Sequence, residues 1–147
     1  MVCALGAACA LAFAAQLVAW WSYPEAKVFL LRSARCFGGE CQAAGHTWLG
    51  ASAWWHRLSA ATFGVGLAAA LLAVAVAAGV ASGRTPRTAA GSLLVAVITA
   101  LACAVASVLT FPRLGPGLWS WGAPLYLLGL GLAAASAIAA RRAPAPD

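Results

Sequence analysis

The segment Cys36-Phe37-Gly38-Gly39-Glu40-Cys41 carries the two cysteines of this chain that lie outside its long apolar stretches. Cysteines so placed have a small set of chemistries: a structural disulfide, a pair cycling between thiol and disulfide, metal ligation, or none, as free thiols in a reducing compartment. Gly38-Gly39 suits a two-residue hairpin turn with positive φ. Phe37 and Glu40 then pair through backbone hydrogen bonds, and Cys36 faces Cys41 at the next, non-hydrogen-bonded position. Cα atoms there lie about 4.5 Å apart, a separation a disulfide accepts. Such a staple places the segment in an oxidising compartment. His46 and His56 complete a possible set of four zinc-type ligands, but the cysteine spacing is long for such a site and the histidines lack the usual paired spacing. Redox cycling has less support still, because the pair is not C-x-x-C and no second pair accompanies it. No catalytic residue, metal site or cofactor is expected.

The elements that position this hairpin follow from composition. The chain is 64% hydrophobic and 8% charged, whereas soluble domains are roughly 45 to 50% apolar with about 25% charge. An all-α integral membrane protein is expected, one four-helix domain over 1–147. The spans are 2–20, 58–81, 89–111 and 118–140, each long enough to cross about 30 Å of hydrocarbon. All four are free of charged side chains, and in lipid they must satisfy their backbone internally as helices. Ala12-Phe13-Ala14 offers a cleavage pattern, but no positive side chain precedes the run, so a retained first helix is expected. The loop 21–57 is the one segment large enough to fold outside the membrane, and Lys27–Arg32 within it reads as a strand beside the stapled hairpin.

Lys and Arg are almost evenly divided between the two sides. Arg84, Arg87, Arg141 and Arg142, however, sit immediately beside spans, which favours cytoplasmic termini. The net charge of +6 is then explained by topology and anionic headgroups rather than by nucleic acid. All seven tryptophans fall on the opposite side. Trp20, Trp21, Trp119 and Trp121 are expected as interfacial anchors. Trp48, Trp54 and Trp55, with Arg57, come from the large loop; they either pack it onto the helices or meet a partner protein, a role in which Trp and Arg are favoured.

Within the spans no ionisable residue marks an ion path, which argues against a pump or transporter. Gln16, Thr62, Ser92, Thr99, Ser107 and Thr110 are mild polar groups of the kind that hydrogen-bond between helices, and Gly64, Gly66, Gly129 and Gly131 permit close helix approach.

In its order of parts the chain resembles the claudin, peripheral myelin protein and related tetra-span superfamily. Trp21 near the start of loop one, the nearby Cys36 and Cys41, and Trp119-Ser120-Trp121 through Leu127 opening the fourth helix carry the resemblance. The family's Gly-Leu-Trp stands here at Gly117-Leu118-Trp119 and not before the first cysteine. The resemblance implies a disulfide-stapled first extracellular loop, cytoplasmic termini and plasma-membrane location. It also implies non-catalytic action through protein contacts of the outer face, as an adhesion, barrier or channel-auxiliary protein. An accessory subunit of a larger membrane complex is the second reading, and a membrane thiol oxidoreductase the third. The expected partners are the bilayer and other membrane proteins, in homo- or hetero-oligomers; no small-molecule substrate suggests itself.

Overall fold

A computed structural model of the protein describes residues 1–82, 87–112 and 118–142, with backbone only at 118 and 119. These residues form four helices, α1 (Val2–Gln16), α2 (Ala53–Ala81), α3 (Arg87–Leu109) and α4 (Gly122–Arg142). Five short strands accompany them: β1 (Trp21–Tyr23), β2 (Ala26–Val28), β3 (Ser33–Phe37), β4 (Glu40–Ala44) and β5 (Leu118–Trp119). The helices pack as sequence neighbours, α1 on α2, α2 on α3 and α3 on α4, and α4 closes back onto α1. The expected turn between α3 and α4, with Arg113, and the basic residue Arg84 lie outside the described residues.

The helices meet through small side chains. Ala4, Ala7, Leu11 and Ala14 of α1 are buried, as are Ala90, Leu93, Val97, Ala100 and Ala104 of α3 and Ala123, Tyr126, Leu130, Ala133, Ala137 and Ala140 of α4. Steps of three and four residues along each helix put these positions on one face. The large aliphatic side chains point the other way: Leu71, Ile98 and Leu109 are among the most exposed residues of the bundle. Small residues let helix backbones approach closely where lipid, as apolar as leucine, gives no hydrophobic drive to association.

Three helices are long and apolar enough to cross a membrane: α2, α3 and α4. The first falls short of the expected 2–20. It ends at Gln16, a length of about 22 Å, because the chain turns back at Leu17–Ala19. Trp20 then donates its indole N–H to the Ala14 carbonyl at 2.9 Å, and its backbone N–H to Val28 at 2.8 Å. A tryptophan bonded to the last turn of α1 and to β2 at once cannot continue the helix. α2, conversely, begins at Ala53 rather than Leu58, because Ser52 caps it by accepting from the Trp55 N–H at 3.2 Å. Trp54, Trp55, His56 and Arg57 therefore ride on a helix. The segment expected to open the fourth span is split: Leu118–Trp119 form β5, and α4 starts at Gly122.

The strands make one antiparallel sheet in the order β4-β3-β2-β1-β5. Strand β2 stops at Val28 where a continuous strand to Arg32 was expected. Phe29 donates its N–H to the Arg32 carbonyl at 2.9 Å, closing a turn that sends Leu30 into the core. Gly122 is needed where α4 leaves the sheet: a Cβ there meets the Ala19 carbonyl oxygen at 2.5 Å.

Candidate interaction surface

The β3–β4 hairpin has the expected register, Phe37 opposite Glu40 and Cys36 opposite Cys41. Gly38 and Gly39 take φ of 59° and 90°, as a tight hairpin turn demands. Cys36 and Cys41 form a disulfide with their Cα atoms 4.0 Å apart. Since this is a non-hydrogen-bonded pair, the Cys36 N–H turns away from β4 and donates to the carbonyl of Glu25, the residue before β2, at 2.8 Å. The staple takes both cysteines out of the four-ligand zinc set. His46 and His56 nevertheless meet, rings 5.5 Å apart and nearly parallel, each edge-on to Trp55.

The alternation of side chains along the strands decides which face of the sheet rests on the helices. Trp21, Val28 and Ser33 share one face by register and are buried. Beneath them the sheet sits on rings. Trp21 stacks on Phe111 and meets Trp55 edge-on, while Trp20 lies against Tyr126. Most buried polar handles here find a partner; the Ser59 hydroxyl and His46 Nε2, also buried, have none among the described residues. Trp55 donates to the Ser107 carbonyl at 3.1 Å, the Ser107 and Thr62 hydroxyls are 2.9 Å apart, and Tyr126 donates to the Thr62 carbonyl at 2.8 Å. A short 3-10 helix, His46–Leu49, buries Leu49 and brings Trp48 over β3, where its indole donates to the Ser33 hydroxyl at 2.9 Å. Arg35 lies 5.0 Å from the Trp48 ring and 5.8 Å from Phe37.

The tryptophans thus fall into distinct environments. Of the expected anchors, Trp20 and Trp21 are buried in the core, Trp121 is 79% exposed at the start of α4, and the side chain of Trp119 lies outside the described residues. Of the residues expected to meet a partner, Trp55 is fully buried and Trp48 half-buried against its own sheet, whereas Trp54 is 61% exposed and Arg57 is exposed beside it. Phe37, at the hairpin tip, is as exposed as Trp54. Sequence reasoning passed over Phe37 as a surface residue and Phe111, Ser33 and Tyr126 as supports. The signal for Ser33 was available in the two-residue alternation of β3; nothing local marks Phe111. The exposed set presents aromatic rings and guanidinium groups on helix and strand. Compared with models of known protein families, with curated proteins and with solved structures, the chain matches none of them.

Proposed function

We propose that this protein is a claudin-like, multi-pass membrane protein of the cell surface that works without catalysis, by binding other membrane proteins through its sheet-bearing face. All four helices lie in the bilayer with the termini in the cytoplasm, and the sheet stands on the outer side. The inverted pattern of the helices supports embedding, small residues inward and large aliphatic ones outward. Arg141 and Arg142, in the last turn of α4, favour the cytoplasmic assignment of that end. The order of parts in the resemblance is retained, with Trp21 opening a sheet stapled by Cys36–Cys41. A structural role for the staple is favoured over redox cycling because the other cysteines, Cys3, Cys9 and Cys103, belong to α1 and α3.

The observation that carries the reading is the contrast between neighbours Trp54 and Trp55. One is locked into the core as a support, and the other is held out on the first turn of the same helix. A large, rigid aromatic with exposed Arg57 close by on the same helix has the composition of an interaction hot spot. The test uses the full chain in intact cells. A membrane-impermeant thiol reagent is expected to label a cysteine introduced at Gln42 and to leave one introduced at Ser82 unlabelled. Mild-detergent isolation is expected to yield an assembly that Trp54→Ala dissolves. Labelling only at position 82, or a monodisperse monomer for both proteins, contradicts the reading.

A further inference from the structure

Where α1 stops short, the sheet and α2 do not close over its end. They leave an open cleft of about 360 Å³ bounded by Gln16, Leu17, Phe29, Leu31, Arg32 and Phe63. We propose that this cleft holds an anionic phospholipid of the sheet-side leaflet, its phosphodiester on Arg32 and one acyl chain along Leu17 and Phe63. The inference rests on the membrane reading above and adds a ligand to it.

The guanidinium is already oriented. Arg32 donates to the Gln16 carbonyl at 3.3 Å and lies 4.6 Å from the centre of the Phe29 ring. These two contacts hold the guanidinium at the end of α1, and it has five N–H donors in a rigid fork suited to a phosphate. The bond to Gln16 also meets the negative end of the α1 dipole, so an approaching anion faces a net cation. The acidic residues of the described chain, Glu25 and Glu40, are not among the lining residues, so no carboxylate there pairs with the cation of a zwitterionic headgroup.

Depth points to a lipid rather than a free anion. At 15 residues, α1 spans about 22 Å of a hydrocarbon layer about 30 Å thick. The missing length lies on the sheet side, where the leaflet must dip to meet Gln16. Leu17 and Leu31 are exposed at the cleft mouth, and Phe63 lies about three turns into α2. The site therefore joins one fixed positive charge to apolar walls, the form of a phospholipid at the level of its glycerol.

The test is native mass spectrometry of the delipidated full chain in detergent, titrated with palmitoyl-oleoyl phosphatidylglycerol or with the phosphatidylcholine of the same chains. The wild type is expected to retain one phosphatidylglycerol, with weaker retention of phosphatidylcholine. Arg32→Gln is expected to weaken retention of phosphatidylglycerol about tenfold, the size of one charge-assisted hydrogen bond. Leu17→Trp, which narrows the cleft and keeps the charge, is expected to weaken both lipids. A circular-dichroism thermal transition matching the wild type's reports that each variant has folded. Retention by both variants equal to wild type overturns the proposal, as does displacement of the lipid by glycerol phosphate at equal concentration, which indicates an anion site. Alkaline carbonate extraction separates the two levels: release of the chain into the supernatant refutes membrane embedding itself, whereas a membrane-retained chain with Arg32-independent lipid binding refutes only the lipid site.

Discussion

Trp21 lies flat on Phe111, ring centroids 3.9 Å apart and planes within 5°. The first belongs to β1 and the second follows α3, so this stack fastens the sheet to a helix that has no direct chain connection to loop one. The edge contact of Trp21 with Trp55 and the bond from Trp20 to Ala14 tie the same end of the sheet to α2 and α1. Replacing Phe111, which is half-buried, by Ala is expected to destabilise the chain by about 2 to 3 kcal/mol, below the cost of emptying a fully buried aromatic site. A double-mutant cycle with Trp21→Ala is expected to give about 0.5 to 1.5 kcal/mol of coupling between the rings. Trp54→Ala, made in parallel, is expected to change stability by no more than about 0.5 kcal/mol. Denaturant titration of the detergent-solubilised chain, followed by tryptophan fluorescence, measures all three.

The hydroxyl pair Thr62 and Ser107 gives a second prediction. Thr62→Val preserves shape and removes the partner 2.9 Å from the Ser107 hydroxyl, leaving a buried polar group unpaired at a cost of about 1 to 3 kcal/mol. Ser107→Ala added to it is expected to recover part of that loss, because no orphan remains. An additive double variant would show that the two groups are independent.

Two glycines on α2 separate close approach from mere composition. A Cβ at Gly66 comes 2.6 Å from the Tyr126 hydroxyl, while one at Gly64 meets nothing within 4 Å. Gly66→Ala is expected to cost about 1 to 3 kcal/mol by overpacking. Gly64→Ala is expected to be neutral or to stabilise by up to about 1 kcal/mol through helix propensity. Thermal unfolding by circular dichroism distinguishes them.

The staple closes a very short loop, so its effect is local and moderate. Cys36→Ser with Cys41→Ser is expected to lower stability by about 2 kcal/mol on the chain-entropy account. Hydrogen exchange is expected to rise in β3 and β4 and to stay unchanged in α2 and α3. Uniform loss of protection through the helices would mean that the sheet is required for the bundle.

Some of this was legible in the sequence. The hairpin register around Gly38-Gly39 follows from turn geometry alone, and so does the pairing of Cys36 with Cys41. The three long apolar helices follow from composition. The end of α1 did not, because Leu17-Val18-Ala19-Trp20 is as apolar as the helix before it. What stops the helix is a hydrogen bond from Trp20 to a turn already made, and a backbone bond to a strand that comes later in the chain. Hydropathy carries neither. The start of α2 is marked in the sequence by Ser52 ahead of the tryptophans, but the uncharged apolar run that bounded the expected span begins only after Arg57. The different fates of Trp54 and Trp55 could be anticipated in form, since adjacent helical residues point about 100° apart, yet which one faces inward depends on the positions of Ser107 and Phe111. The meeting of His46 with His56 depends on the docking of a 3-10 turn that has no periodic signature.

Photo-cross-linking in native membranes tests the central claim most directly, with benzoylphenylalanine placed at exposed positions on the sheet side, Trp54 and Phe37, and at exposed Leu71 on the flank of α2. Contact through the sheet-bearing face predicts discrete protein adducts at 54 and 37 and none at 71. Adducts at 71 with none at 54 or 37 would contradict it and would mark the protein instead as a subunit held in a larger complex by its helices.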